Sequence, residues 1–212
     1  MTASNSINNF SFESAYLGLY DYEKAAVLQN DLHCLALNKN QYSLIGLEHY
    51  AVLTLGHRAQ VETEVKMTTM PVVRSTRGGL ATVHSEGQLV IYPIINLRKL
   101  RWGVKHYVHC LLTVTQALLK ELEIDSWVDD EAIGLHTRNG KIAFCGIQIK
   151  NGVSQHGISL NVKNDLSLFT EIKACGLQNP RLDRLANYTS ELSLRDLFNR
   201  WTEIFKRQIN NS

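Results

Sequence analysis

The chain has no run of about 18 uninterrupted apolar residues, which excludes a membrane-spanning helix. Its charge is nearly balanced, with 22 Lys plus Arg against 20 Asp plus Glu and a formal net charge of +2. That field is too weak to argue for a nucleic-acid or membrane partner, so neither is expected. Met1 to Phe12 is polar and lacks a basic cluster followed by an apolar stretch; no secretory signal is read, and a cytoplasmic location is expected. The four cysteines, Cys34, Cys110, Cys145 and Cys175, form no CxxC and stand at no structural-zinc spacing with histidine. In a reducing compartment they are free thiols. Internal repeats, heptads and low-complexity tracts are absent, as is the GxxxxGK[ST] pattern of a phosphate loop.

What remains is an ordinary globular composition. The 212 residues are 44% hydrophobic and 20% charged, enough apolar surface to offset the entropy of ordering the chain. At roughly 150 residues per domain this predicts one domain over 1–212, frayed over residues 1–12. Helical spacing of apolar residues predicts helices over Tyr22 to Leu37, Val104 to Leu122 and Ser193 to Ile209. Ser43 to Leu55 reads as a strand pair broken near Glu48-His49, and Gln88 to Ile95 as a buried strand. Asn139-Gly140 and Asn151-Gly152 are both signals for type I′ hairpin turns and predict a three-stranded meander from about Ile133 to Val162. Strict alternation would place Lys141, Ala143 and Cys145 on one face, and Ile142 and Phe144 on the other. Ser167 reads as the cap of a short helical turn within Asn164 to Lys173. The sum is an α+β fold, with a mixed, largely antiparallel sheet packed with helices.

Several segments could carry chemistry. Arg77-Gly78-Gly79-Leu80-Ala81-Thr82-Val83-His84 pairs adjacent glycines, which allow close backbone approach to a ligand, with a cation and a titratable ring. Lys141 stands beside the first hairpin turn, where most lysines are merely solvated. His156 lies in an otherwise apolar strand, where a hydrogen-bonded structural histidine is the common case. Lys173-Ala174-Cys175-Gly176 places a thiol on a loop near positive charge, the conditions that enrich the thiolate. Cys34 and Cys110 fall on expected core helices and should be inert. His106, His109 and Cys110 are spaced by three and four, but no fourth ligand is in view, so no metal is expected.

Taken together and in order, these segments resemble the octanoyltransferases of lipoate biosynthesis, the lipoate-protein ligase B family. The matching residues are Arg77-Gly78-Gly79, Thr82, His84, Gly87-Gln88 and Tyr92-Pro93; then Lys141-Ile142, Gly146, His156-Gly157 and Leu160-Asn161-Val162; then Cys175-Gly176. Tyr22, Gln29, Glu48-His49 and Thr54-Leu55-Gly56 also fit, so the likeness runs from about Tyr16 to Leu185. Ser85-Glu86 replaces the family's usual Gly-Pro, Ala174 its usual proline, and Phe144-Cys145 a pair of small hydrophobic residues.

The resemblance implies a fold similar to the biotin/lipoate protein ligase catalytic domain. It also implies transfer of octanoyl from octanoyl-acyl carrier protein to a lysine of lipoyl domains, with no cofactor. The acceptors would be the lipoyl domains of 2-oxoacid dehydrogenase complexes and the glycine cleavage H protein. Cys175 would be the nucleophile and Lys141 the residue that assists it. Arg77, Gly78, Gly79, Leu80, Ala81, Thr82, Val83 and His84, with Phe144, Cys145, Gly146, Gly157, Ile158 and Ser159, would line the substrate site. Backbone N–H groups near Gly78-Gly79 or Gly146 would stabilise the oxyanion. The alternatives are an ATP-dependent lipoate or octanoate ligase, a lipoyl amidotransferase, a non-catalytic module that binds acyl carrier protein or lipoyl domains, and a Cys/His hydrolase. Carrier proteins are typically acidic, and Arg74, Arg98, Lys99, Arg101 and Lys105 form a basic cluster that would suit one, or simply an ordinary solvated surface.

Overall fold

The helical spacing that begins at Tyr22 produces an 18-residue helix, α1 (Tyr22–Lys39), in a computed structural model that describes residues 12–66, 68–129, 133–172, 181–190 and 193–210. Asp21 caps it by accepting the Lys24 N–H at 2.9 Å, and Asn40 ends it in the left-handed region at φ 53°. Two strands follow, β2 (Tyr42–His49) and β3 (Val52–Leu55), divided near the expected point. Upstream, β1 (Phe12–Tyr20) was not anticipated: Phe12 opens a strand, while residues 1–11 lie outside the described residues. β1 is a parallel edge strand with Glu13, Ser14 and Ala15 exposed, so it has no clean alternation to read.

The short elements α2 (Val61–Glu64), β4 (Val72–Arg74) and β5 (Ala81–His84) precede β6 (Gln88–Ile94). Then come α3 (Leu97–Leu100), α4 (Val104–Glu121), β7 (Trp127–Asp129), β8 (Gly134–Thr137), β9 (Gly140–Lys150), β10 (Val153–Asn161) and α5 (Leu194–Asn210). The meander is therefore β8, β9 and β10, all antiparallel. Its second turn is of the expected type, with Asn151 at φ 53° and Gly152 at φ 84°. The first is not. Thr137 pairs with Gly140, so the two-residue loop is Arg138-Asn139, and Gly140 already belongs to the strand at φ 147°. The turn after β10 also differs in detail: Asp165, not Ser167, caps the 3-10 turn Leu166–Glu171 by accepting the Ser167 N–H.

Seven strands build the main sheet in the order β1-β2-β6-β10-β9-β8-β7, and three build a second, β4-β3-β5. β1–β2 and β3–β4 are parallel and the other pairs antiparallel, which is the mixed, largely antiparallel arrangement expected. The main core joins the larger sheet to the apolar stripes of α4 and α5, including Leu111, Leu118, Phe198 and Phe205. Trp201, fully buried, donates its indole N–H to Thr115 Oγ1 at 2.8 Å and ties α5 to α4. A smaller cluster of Leu53, Leu55, Ala81, Val83, Phe144, Phe169 and Ile172 joins the three-stranded sheet to β9. A cavity opens between these two cores.

Candidate active site

The position of Lys141 depends on an irregularity in β9. Leu135 pairs with Ala143, yet the next residue, His136, pairs with Lys141, so β9 carries one residue more than β8 at this point. Such a bulge reverses the facing of everything beyond it. Lys141 therefore does not share the face of Cys145 as alternation would require. Its Nζ lies 5.0 Å from the centroid of the Phe144 ring, which stacks on Phe169. Gly134 makes room for it: a Cβ there would come within 2.5 Å of Lys141 Cε. The side chain is 3% exposed and donates to the Ile133 carbonyl at 3.3 Å. Burial and the neighbouring ammonium hold the His136 ring below its ordinary pKa, against the pull of Asp129 at 3.3 Å.

The backbone of Lys141 is engaged on both sides. Its N–H donates to the Arg181 carbonyl and its carbonyl accepts the Asp183 N–H, each at 2.9 Å. Cys175 lies outside the described residues, in the segment between Ile172 and Arg181. Of the other thiols, burial pushes Cys110 and Cys145 up to about 12, which makes them poor nucleophiles. Cys34, expected in the core, is exposed on α1, because the buried stripe of that helix runs through Tyr22, Ala25, Gln29, His33 and Ala36.

The glycine-rich segment forms the opposite wall. Arg77 is buried, and its Nη2 donates to the Thr54 carbonyl at 2.7 Å and to Thr54 Oγ1 at 2.9 Å, with Nη1 on the Gly78 carbonyl at 3.1 Å. The Gly78 N–H is taken by the Ile147 carbonyl at 2.9 Å, which binds this loop to β9 and removes that N–H as an oxyanion donor. Gly146 lies against that loop, and a Cβ there would meet Arg77 Cδ and the Gly78 carbonyl at 3.4 Å, in ordinary contact. Along β5, Thr82 and His84 face the cavity, while Val83 points into the smaller core.

Three buried histidines stand at this end. A carbonyl can only accept, so His49 Nδ1 donates to Tyr20 O at 2.9 Å and its Nε2 accepts the Tyr92 hydroxyl at 2.8 Å. By the same reasoning His84 donates from Nδ1 to Gln88 Oε1 at 2.6 Å; Gln88 Nε2 donates to Asn161 Oδ1 at 2.9 Å, and Asn161 Nδ2 to the Asp183 carbonyl at 3.0 Å. His156, at φ 56° within β10, meets Thr76 Oγ1 through Nε2 at 3.1 Å. Burial lowers His49 and His156 to about 4 and His84 well below its ordinary value; the Arg77 cation pushes His84 and His156 the same way.

Together these walls enclose a cavity of about 560 Å³, within the usual size of a small-molecule site. Lys141, Arg77 through Thr82, His84, Phe144 through Gly146 and Gly157 through Ser159 all line it. Gly157 is needed for packing as well, because a Cβ there would fall 2.1 Å from the Ile91 carbonyl. Sequence reasoning did not assign Tyr22, Tyr92, Val104, Val108, Ile133, Ile147 or His156 to the lining. Val104, read from its spacing as part of the core stripe of α4, is 53% exposed at the start of that helix.

The lipoyl protein ligase A/B catalytic domain model matches residues 21–206. An octanoyltransferase of Francisella tularensis subsp. novicida is 33% identical over 202 residues, covering 92% of this chain and 96% of the relative. The octanoyltransferase of Dichelobacter nodosus is 34% identical over 160 residues, 75% of this chain and 80% of the relative. Among solved structures, the bipartite lipoate protein ligase of Thermoplasma acidophilum, studied with its E2 lipoyl domain, superposes with a TM-score of 0.74 at 13% identity, covering 93% of this chain and 84% of that one. At that identity the likeness is one of fold. The extent of the family match and the identity to full-length relatives make this chain a member of the lipoyl protein ligase A/B catalytic domain family.

Proposed function

We propose that this acyltransferase moves an octanoyl group from octanoyl-acyl carrier protein to a lysine of a lipoyl domain, through a thioester on Cys175 assisted by Lys141. The observation that carries the reading is the buried ammonium of Lys141 in a largely apolar cavity that opens to the surface, with the chain returning from the Cys175 segment hydrogen-bonded to the backbone of that same lysine. Cys175 is three residues after Ile172 and six before Arg181 in sequence. The apolar wall of Leu80, Val104, Val108, Phe144 and Ile147 suits a hydrocarbon chain.

The chemistry then balances without ATP. The thiolate attacks the donor thioester carbonyl, and as the acyl-enzyme forms the carrier's sulfur takes the ammonium proton of Lys141 and leaves as a thiol, which makes Lys141 neutral. Exchange between thioesters is nearly even in energy. The acceptor amine attacks next, Cys175 sulfur departs, and neutral Lys141 takes the amine's proton. Conversion of thioester to amide drives the second step. The acceptors are lipoyl domains of 2-oxoacid dehydrogenase complexes and the glycine cleavage H protein.

Incubation with octanoyl-acyl carrier protein is expected to add one octanoyl group to the protein by intact mass, labile to hydroxylamine and absent in Cys175→Ser. No adduct on the wild type would sink the reading. The fold shared with lipoate ligases favours an ATP-dependent reading next, and pyrophosphate release from ATP and free octanoate would select it.

Arg98 and Lys99 on α3, with Arg101 and Lys105, precede or follow the cavity-lining Val104 in sequence and would meet an acidic carrier at the mouth; Arg74 stands on β4. Reversing Lys99, Arg101 and Lys105 to glutamate should raise the Michaelis constant for the carrier about tenfold at low salt and leave kcat in place, since rim charges steer encounter and are screened by salt. An unchanged constant would make the cluster an ordinary solvated surface.

A further inference from the structure

We infer that Asp183 is a positioning residue for Lys141; the inference rests on the catalytic reading of Lys141 given above. The carboxylate is fully buried, and among the described residues no cation is bridged to it. A charge so placed is tolerated only where hydrogen bonds replace water. Four donors do so. Thr137 Oγ1 and the Tyr188 hydroxyl donate to Oδ2, the latter at 2.5 Å; Asn187 Nδ2 and the Arg184 N–H donate to Oδ1 at 2.7 and 2.9 Å.

Two of these contacts lead toward the lysine. Thr137 is the last residue of β8 before the turn into β9, and Tyr188 accepts a hydrogen bond from Asn139 Nδ2, inside that turn, at 2.8 Å. The carboxylate thus holds the turn that immediately precedes Lys141. The main chain of Asp183 holds Lys141 itself, through the N–H given to its carbonyl, and reaches β10 through the carbonyl that accepts Asn161 Nδ2. The support is needed because the bulge interrupts the β8–β9 ladder one residue beyond Lys141, where a regular strand would have fixed its aim. A carboxylate suits the place better than an amide, since both its oxygens accept and all four neighbours donate.

The test is the pH profile of Cys175 alkylation, read peptide by peptide so that exposed Cys34 does not confuse it, alongside thermal unfolding. Asp183→Asn should slow alkylation at pH 7 by about tenfold, an upward move of one unit in the thiol pKa. Tyr188→Phe, which removes one donor and the Asn139 link, should move it less but in the same direction, and it serves if Asp183→Asn does not fold. Trp201→Phe, which loses the hydrogen bond to Thr115 on the far core, should lower thermal stability and leave the profile alone. A profile unmoved by both Asp183→Asn and Tyr188→Phe, with Lys141→Met shifting it, overturns the positioning role alone. A profile unmoved even by Lys141→Met overturns the catalytic reading beneath it.

Discussion

Replacing Lys141 by methionine is expected to slow formation of the octanoyl-enzyme by about 10²- to 10⁴-fold, the range for loss of a positioned proton-transfer group. Methionine keeps most of the buried volume, so the loss reports charge and not packing. Alanine would not separate the two, because the stem of Lys141 is 3% exposed and its removal would leave a void beneath Phe144 and Gly134. Two measurements apportion the effect. The pH profile of Cys175 alkylation reads the ammonium's support of the thiolate, and single-turnover transfer from preformed octanoyl-enzyme to a lipoyl domain reads proton acceptance in the second step. Equal alkylation profiles for Lys141→Met and wild type would remove the first role; equal transfer rates would remove the second.

Stability should fall steeply as the pH drops from about 6.5 toward 4, in the window set by the ordinary histidine value and the depressed values of His49 and His156. The sign follows from proton binding. Burial holds both rings neutral to about 4 and keeps His84 well below its ordinary value, whereas in the unfolded chain all three take up protons near 6.5. Within the window the unfolded state therefore binds more protons, and acid favours it. Each such ring contributes about 1.4 kcal/mol per pH unit, so three together contribute about 4 kcal/mol per unit against a total of about 5–15 kcal/mol for a typical domain. The stabilisation is complete above 6.5. Urea midpoints should be level from pH 8 to 7, fall below 6.5, and fall less steeply in His49→Gln. Asp183 acts in the same direction at lower pH: burial tends to raise its carboxyl, but the four hydrogen bonds outweigh it and hold the group below the ordinary value. A midpoint independent of pH between 7 and 5 would contradict the burial of the histidine cluster.

The legible parts of this fold were those decided by local pattern. Apolar residues at helical spacing located α1, α4 and α5, and Asn151-Gly152 located a turn whose two positive φ values those residue types favour. Asn139-Gly140 carried the same dipeptide but sits one position later relative to its loop, because Thr137 and Asp183 fix that turn from outside. The aim of Lys141 was illegible for a related reason, since a bulge is a property of two strands and not of one. Val83 was swept into the lining by a contiguous motif, although strand alternation already turned it away. Asp183 offered no local signal: its partner Thr137 is 46 residues distant, and only folding brings the return segment against β9. Arg77, His84 and Lys141 stood out only as weak single motifs, and these and Gly146 were joined into one site only as an ordered set through family likeness.

The surplus residue in β9 also bears on how this protein can tolerate change. Straightening β9 at its present length, with Ile142 opposite His136, would turn the ammonium onto the face of Ala143 and toward the hydrocarbon interior, where a charge cannot remain, whereas deleting Ile142 would leave it on the face of Phe144. Adding a residue between Lys141 and Gly146 would set one or the other out of step with the cavity they share. The register of this stretch, as well as the side chains that fill it, therefore decides what the cavity receives.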